Sequence, residues 1–548
     1  MFIVRMRFFY ILLFSLIIPQ SYARDFIYLL TSKGIYETGE DLWLKGFVLD
    51  NNDRKLSDAS QTAFIELVNP ADSVVWQEKY PVIQGEFDGH IYVGDEWSSG
   101  EYRLYAHTRN TTGKNATILF PHKILIVNDL TEVPKFLTAQ KLSTISPDEL
   151  APYASGLNVD IVLDNDSLST RNEAKLHITV TDSQGNPIQA RVALSIFDGL
   201  YRYQPSEISL AARKFAEDKY GMKKSVKPFL SDGVSSGIMR AGRKGKETAS
   251  GQWINVYDVD MGPGRFNLVE TGTDGRFEIT SEQGQSLGRE LVMKPLTALK
   301  NPQLLFDRPF DDVADLRKKT ADGTLPVVQL QTTDDNNELV ETAEYSSRRT
   351  VHLDEVVVTK KRRFYSHRDK LYGYLDSIHT MRSGAWVCKC GSGASGYLND
   401  YIDGYTHHPG GYLMPKKKYV PKIGESYEII KYTGPDNPEL YVRDIQIITY
   451  EGERLSQEEL LKEAGLFADQ GYSRYYSYPD MSPEDWVEGI EDIRNTLLWA
   501  PLLETKENGT LDIVFYTSDI KSIFGIRGIV YDLNGRVADI DNFFFEVN

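Results

Sequence analysis

The sequence predicts a mainly β protein built from several sandwiches in tandem. Apolar and polar residues alternate in short segments, as in Ala63, Ile65 and Leu67, so that each segment has one apolar face. Turn-forming stretches such as 38–40 (TGE) and 182–187 (DSQGNP) separate these segments. The 548 residues are too many for one hydrophobic core, and a typical size of roughly 150 residues predicts about three to four domains.

The composition is that of a folded, acidic protein. Hydrophobic residues make up 41% and charged residues 25% of the chain, as is usual for globular proteins. The net charge of −17 and the pI of about 5.1 argue against nucleic acid as a partner, because phosphate binding needs a basic surface. We therefore interpret the basic stretches 240–246, 360–363 and 416–418 as solvated loops.

Residues 1–23 have the pattern of an export signal. Arg5 and Arg7 precede an apolar run over 8–18, and the small residues Ser21 and Ala23 follow it. The run of about eleven apolar residues is short against the ~20 that a membrane-spanning helix needs. We expect cleavage after Ala23, a mature chain without a transmembrane segment, and a location in the periplasm or at the outer membrane or cell surface.

The mature chain begins with two alternating segments around a turn, over residues 28–48 (YLLTSKGIYETGEDLWLKGFV). The spacing of Lys33, Tyr36, Gly39-Glu40 and Trp43 resembles the element that begins macroglobulin-like domains. Further strands follow at short intervals, which is typical of a β-sandwich. We predict a first macroglobulin-like sandwich over 24–130.

A second module is predicted over 150–298. Leu176, Ile178 and Val180 alternate before the turn at 182–187, and GNPIQARVALSIFD resembles a strand pair of the same family. Residues 206–221 have a helical pattern, whereas 223–251 are rich in Gly, Ser and Lys. We therefore expect a loose insertion over about 206–251 within this second sandwich.

The middle of the chain combines a predicted linker with a plug-like segment. Residues 299–350 are polar without a sustained period and are interpreted as a linker. The heptapeptide 353–359 (LDEVVVT) resembles the segment that leads into the plug of TonB-dependent receptors, and 402–404 (IDG) resembles part of the plug. We expect a small α+β plug-like segment over 351–480, with a capped helix over 456–464. Too little chain follows for a receptor barrel.

The C-terminal segment 481–548 is predicted to be a separate β domain. Residues 494–515 (RNTLLWAPLLETKENGTLDIVF) describe two strands joined by a tight turn. They resemble the opening of the domain that precedes the thioester region in alpha-2-macroglobulins. The sequence ends at Asn548, which leads us to expect binding or assembly and not catalysis. The strand 543–547 is expected either at a sheet edge or within its own sandwich.

Three matches in the family's order make the chain resemble an alpha-2-macroglobulin-like exported protein of the Bacteroidota type. The resemblance implies tandem macroglobulin or immunoglobulin-like sandwiches with the plug-like insert between them. Reactive macroglobulins carry a thioester cysteine, whereas Cys388 and Cys390 are the only cysteines here and lie in another setting. Covalent trapping of proteases is therefore excluded.

One constellation has the composition of a metal site, namely Cys388, Cys390, His407 and His408. Two thiolates and two imidazoles are a legitimate zinc set. The spacing of the two cysteines is tight for zinc, and an exported protein meets oxidants, so a Cys388–Cys390 disulfide competes with free thiols and with metal. These three alternatives stay open at the level of sequence, and no cofactor is predicted.

Tyrosine is concentrated in residues 472–478 (YSRYYSY) and at Tyr397, Tyr401 and Tyr405. Tyrosine suits protein or glycan surfaces because it combines a large contact area with a polar tip, although such residues also occur in cores. No motif nominates catalytic residues.

We therefore predict a non-enzymatic, exported protein of the cell envelope that binds an envelope or surface protein or a glycan. A metal-binding module or metalloenzyme at Cys388, Cys390 and His407 is one alternative. A thioester-less protease inhibitor, cleaved within 223–251, is the other.

Overall fold

The computed structural model describes residues 25–50, 55–111, 121–128, 143–145, 153, 156–165, 167–203, 208–220, 232–259, 266–321, 330–332, 375, 426–433, 442–449, 455–479 and 481–548. Most of them lie in strands, and the larger sheets pack in pairs, so the predicted mainly β fold with tandem sandwiches is confirmed. The export signal 1–23 and the plug-like stretches 353–359 and 402–404 lie outside these residues. None of the helices that the structure describes is both long and apolar enough to cross a bilayer.

The first sandwich lies within residues 25–128 and is formed by β1 (Asp25–Thr31), β2 (Ile35–Glu37), β3 (Asp41–Asp50), β4 (Thr62–Val68), β5 (Val74–Pro81), β6 (Glu86–Tyr92), β7 (Gly100–His107) and β8 (His122–Val127). A three-stranded sheet in the order β1-β3-β6 packs on a five-stranded sheet in the order β2-β8-β7-β4-β5. The turn predicted at 38–40 is present, with Gly39 at a φ of 86° that an L residue adopts only with strain.

Strand β3 is buried on both faces. Leu42, Leu44 and Val48 belong to the core of the first sandwich, whereas Trp43 and Phe47 belong to a different apolar cluster outside it. Alternate residues of a strand point to opposite faces, so the nearly continuous apolar sequence of β3 serves two packing layers.

The second sandwich is assembled from two distant parts of the chain. Its first part supplies β10 (Leu157–Leu163), β11 (Ser167–Leu168), β12 (Glu173–Asp182) and β13 (Arg191–Asp198), and its second part supplies β25 (Thr496–Glu504), β26 (Thr510–Tyr516), β27 (Ser522–Tyr531) and β28 (Val537–Val547). The sheets have the orders β10-β12-β26 and β11-β28-β27-β13-β25. Residues 150–298 and 481–548 were expected to form separate domains, but β13 lies between β25 and β27, so both segments share one core.

A third sandwich is inserted between β13 and β25. It contains β14 (Ser235–Ala241), β15 (Glu247–Thr248), β16 (Trp253–Asp258), β17 (Phe266–Glu270), β18 (Arg276–Ile279), β19 (Glu290–Leu296), β20 (Gln303–Phe306) and the distant β24 (Phe467–Gln470). One sheet has the order β15-β14-β18 with β20 also paired to β14, and the other has the order β17-β16-β19-β24.

The loose insertion expected over about 206–251 is therefore corrected where the structure describes it. Residues 210–220 form a helix, Leu210–Tyr220, and β14 lies inside a sheet. The small residues of β14 suggested a loop, but they serve close strand packing. A Cβ on Gly237 would lie 2.3 Å from the carbonyl oxygen of Leu305 on the paired strand.

The expected linker 299–350 also contains regular structure. Beyond β20, a helix spans Pro309–Ala321 and packs on the first sandwich. The ring centroid of Phe310 lies 5.5 Å from that of Phe64, and Arg317 pairs with the buried carboxylate of Glu66 at 2.5 Å. The helix thereby connects the third sandwich to the first.

The remaining elements are short. Helices span Ser281–Ser286 and Gln457–Glu463, 3-10 helices span Gly199–Tyr201, Arg243–Gly245 and Pro483–Asp485, β9 (Ser143–Ile145) pairs with β21 (Leu330–Thr332), and β22 (Ser426–Thr433) pairs with β23 (Val442–Thr449). The capping box of Ser456 and Glu459 is confirmed, and Gly465 follows the helix at a φ of 67°. Strand β28 lies within its own sheet between β27 and β11.

The first and second sandwiches share a buried apolar interface. The outer face of the β1-β3-β6 sheet packs on the sheet that contains β13, β25 and β27, and the cluster between them comprises Phe26, Tyr28, Leu30, Trp43, Phe47, Leu49, Ala193, Leu210, Trp499, Ile529, Tyr531 and Val537. The rings of Phe47 and Tyr531 meet edge to face at 5.1 Å. This continuous apolar contact fixes the two sandwiches against each other.

A polar contact at the same interface joins two motifs that stand far apart in the sequence. The Lys33 ammonium pairs with the Glu40 carboxylate at 2.6 Å and donates a hydrogen bond to the Asn495 side-chain oxygen at 2.7 Å. The Asn495 amide nitrogen in turn donates to the second Glu40 oxygen at 2.7 Å. We call Lys33, Glu40 and Asn495 the interdomain hub.

Candidate binding cleft

The residues that sequence analysis proposed for metal or disulfide chemistry, Cys388, Cys390, His407 and His408, lie outside the described residues. Within the part of the chain that the structure describes, no group of three or more His, Cys, Asp or Glu side chains is arranged to hold a metal ion. The state of the two cysteines therefore stays as open as the sequence left it.

The segment 223–251, proposed as a site of protease cleavage, is only partly described. Its residues 235–241 and 247–248 form strands of the third sandwich. A protease needs an accessible, extended segment in its active site, and residues paired within a sheet do not offer one. We therefore no longer expect protease cleavage within these two strands.

A histidine on the surface of the second sandwich lies between two carboxylates. His177 Nδ1 is 2.7 Å from Asp512 and its Nε2 is 2.8 Å from Asp164. The hydrogen bond to Asp512 is the largest of the effects that raise the pKa of His177, and that to Asp164 follows. All three side chains are exposed, so this arrangement ties two strands and a loop together at the surface.

A cleft of about 1040 Å³ lies where all three sandwiches meet. The first sandwich contributes Lys45, Tyr80 to Pro81, Ile83 to Gln84 and Glu86 to Asp88; the second contributes Arg191 and 502–504; and the third contributes 285–288, with 472–476 following β24. Clefts of this size at domain junctions are common places for ligands.

The base of the cleft is charged. The Glu86 carboxylate forms an ion pair with the Lys45 ammonium at 2.8 Å and also pairs with Arg191, whose guanidinium lies 3.3 Å from the Glu504 carboxylate. Burial alone would raise the pKa of Glu86, but the charge of Lys45 and the hydrogen bonds outweigh burial and lower it. The ionised carboxylate thus joins the first sandwich to the second at the cleft floor.

A row of contacting aromatic side chains lies beside these charges. Tyr476 meets the His90 ring edge to face at 5.0 Å, and His90 lies 5.1 Å from Trp43. Trp43 in turn meets Tyr478 at 5.5 Å, and the Tyr478 hydroxyl donates to the Thr496 carbonyl at 2.6 Å. Burial lowers the pKa of His90, so its ring is neutral at pH 7 and packs as an aromatic group.

The segment that carries the tyrosines is held by contacts with the first sandwich. The backbone nitrogen of Ser473 donates to the Lys79 carbonyl at 2.8 Å. The buried Tyr472 hydroxyl lies 2.8 Å from Thr62 Oγ1 and 3.0 Å from Ser281 Oγ. Tyr472 is thus a structural residue, whereas Tyr475 and Tyr476 remain 70% and 52% exposed at the cleft.

The tyrosine-rich segment 472–478 is evident in the sequence, but the cleft around it is not. The lining residues come from positions 45 to 504 of the chain, so no local motif could reveal their proximity. The remaining signals were single residues, such as the charged Lys45 within the mostly apolar strand β3. Such charges become informative only when the partner sandwich is known.

No protein-family model matches the chain, and no curated protein matches it. Among solved structures, the chain is similar to a Salmonella alpha-2-macroglobulin reacted with methylamine, with 8% identity, a TM-score of 0.25, and coverage of 96% of this chain and 39% of that one. An elastase-activated Escherichia coli alpha-2-macroglobulin gives 9% identity, a TM-score of 0.25, and coverage of 95% and 43%. The Escherichia coli adhesin FdeC gives 14% identity, a TM-score of 0.14, and coverage of 51% and 63%. The chain thus spans well under half of the two macroglobulins.

Proposed function

We propose that the chain is a non-enzymatic, exported binding or assembly module of the cell envelope, built on macroglobulin-like domains, and that it holds its partner in the three-domain cleft. The export pattern over 1–23 supports a location in the periplasm or at the outer membrane or cell surface. The sequence resemblance of 28–48 and 494–515 supports the macroglobulin-like description.

The observation that carries the proposal is the convergence of exposed apolar side chains on one cleft. Tyr475 and Tyr476 are 70% and 52% exposed, and Ile83 and Leu502, from two other elements, are 56% and 55% exposed. Exposed apolar groups gathered around a concavity mark interaction sites, whereas scattered ones are ordinary. Tyrosines in particular are enriched among residues that dominate binding free energies.

The charges at the cleft floor support binding over catalysis. Glu86 is paired with cations from both the first and the second sandwich, so its charge is used to join domains. A catalytic carboxylate needs a free lone pair or proton aimed at a substrate, together with a pKa suited to transfer near neutral pH. The lowered pKa of Glu86 does not fit that requirement.

Site-specific crosslinking tests the proposal. A photo-crosslinking amino acid is placed at Tyr476 in the full chain, and at Leu533, which is 84% exposed, as a control. With envelope fractions we expect one discrete adduct from position 476 and none from 533. The adduct should disappear when Leu502→Arg is added, because the long charged side chain fills the cleft mouth. Equal labelling from both positions, or no adduct at 476, would overturn the proposal.

A further inference from the structure

Among the residues that the structure describes, one carboxylate of the cleft has no ion-pair partner. Asp88 on β6 lies opposite Lys45 in the strand register, but the Lys45 ammonium forms its ion pair with Glu86. Among the described residues, no hydrogen bond or ion pair reaches the Asp88 carboxylate. Asp88 is partly buried and lines the cleft.

This carboxylate lines the same cleft as the exposed tyrosines. Burial raises the pKa of Tyr475, and the negative charge of Asp88 raises it further. Burial also raises the pKa of Asp88, and the charge of Glu86 adds to this, although Lys45 opposes it. A partly desolvated carboxylate without an ion-pair partner is stabilised by an incoming cation.

We propose that the cleft binds a Lys or Arg side chain of a partner polypeptide, which pairs with Asp88 and lies against the rings of Tyr475 and Tyr476. The inference rests on the proposed function and names the chemistry of the partner. A cleft that contains both a carboxylate and exposed tyrosine rings is matched to a cation, because ring faces and carboxylates both attract positive charge.

A basic side chain fits this place better than the other ligand classes. A lone carboxylate is too few ligands for a metal ion, which requires several oxygen or nitrogen donors. A neutral glycan would stack on the tyrosines but would leave the Asp88 charge uncompensated. The two other carboxylates of the cleft already have cationic partners, since Glu86 pairs with Lys45 and Arg191 and Glu504 pairs with Arg191.

Fluorescence polarisation with a labelled peptide tests the inference. The probe is a fluorescein-labelled Gly-Arg-Gly-Arg-Gly peptide, and the control peptide carries citrulline, which has the shape of arginine without its charge. One charge-assisted contact predicts roughly tenfold tighter binding of the arginine peptide, weakening as salt is raised. Asp88→Asn should abolish the difference, and Asp88→Glu should retain part of it.

A matched variant controls for net charge. Asp160→Asn removes one negative charge from an exposed position of the second sandwich and should keep the preference for arginine. Thermal unfolding of Asp88→Asn confirms that the variant is folded. Equal affinity of the two peptides, or an unchanged preference in Asp88→Asn, would overturn the inference.

The result also separates this inference from the proposed function. If the adduct at position 476 forms but arginine and citrulline peptides bind alike, the cleft is a binding site and the basic partner is wrong. If chitotetraose competes with the adduct whereas the arginine peptide does not, the cleft binds glycan and the inference is overturned. If no adduct forms at 476, the proposed function itself fails.

Discussion

Replacing Lys33 by Met should destabilise the interface of the first two sandwiches, because it removes the cation of the interdomain hub. The Lys33 side chain is 3% exposed and the Glu40 side chain 26% exposed, so the substitution leaves a largely buried carboxylate without its ion-pair partner. Removing one member of a buried pair costs about 3–5 kcal/mol, which the partial exposure of Glu40 reduces to about 2–3 kcal/mol. That loss corresponds to a Tm lower by roughly 4–12 °C for a unit of this size.

A double-mutant cycle isolates the hub from general packing effects. Differential scanning calorimetry is recorded for the wild type, Lys33→Met, Glu40→Gln and the double variant. We expect the double variant to be more stable than the sum of the two single losses predicts, because no uncompensated charge remains in it. Strictly additive losses, or an unchanged Tm in Lys33→Met, would refute the reasoning.

The same cycle has a defined pH dependence. Burial alone would raise the pKa of Glu40, but the charge and hydrogen bond of Lys33 outweigh it and hold the pKa below the ordinary value of 4.5. A carboxylate with a lowered folded-state pKa contributes stability that is fully present above its unfolded pKa and is lost as the pH falls through the folded value. The Tm advantage of the wild type over Glu40→Gln should therefore shrink below pH 4.5. An advantage that grows with acidification would contradict this assignment.

Two further predictions concern single sites. Gly89→Ala should destabilise the first sandwich by about 1–3 kcal/mol through overpacking, because the new Cβ would lie 2.1 Å from the buried Tyr80 ring, whereas Gly156→Ala, with its nearest contact at 3.8 Å, should be close to neutral in thermal unfolding. The pKa of His177, read from its ring protons by NMR, should lie above 6.5 and fall in Asp512→Asn, because that carboxylate stabilises the protonated ring. A pKa unchanged by Asp512→Asn would count against the hydrogen bond.

Local chemistry in the sequence predicted individual elements well. The alternation in β12, the turn at Gly39 and the capping box at Ser456 all depend on residues within a few positions of one another. The helix Pro309–Ala321 was missed although its signals were present, with Pro309 at its start and acidic residues in its first turn. The polar sequence around it concealed the apolar face that contacts the first sandwich.

Long-range organisation could not be predicted in the same way. Lys33 and Asn495 belong to two recognised motifs, but 462 positions separate them, and neither motif indicates that it needs the other. Likewise, the alternation of Leu511, Ile513 and Phe515 in β26 shows which face is apolar but not that β12 is its neighbour. A strand's pattern specifies a buried face without specifying the partner that covers it.

The insertion of the third sandwich explains how the cleft obtains its shape. The chain leaves the second sandwich after β13 and returns at β25, and these strands are antiparallel neighbours with Phe197 opposite Thr496. An insertion whose ends lie side by side disturbs its host little. The tyrosines lie on the returning segment and are held by contacts with the first sandwich, at Ser473, and with the second, at Tyr478. The geometry of the cleft therefore depends on three sandwiches at once. Lys33→Met should accordingly weaken binding in the cleft, although Lys33 does not line it. Binding to a surface formed by one sandwich alone would not be changed by this substitution.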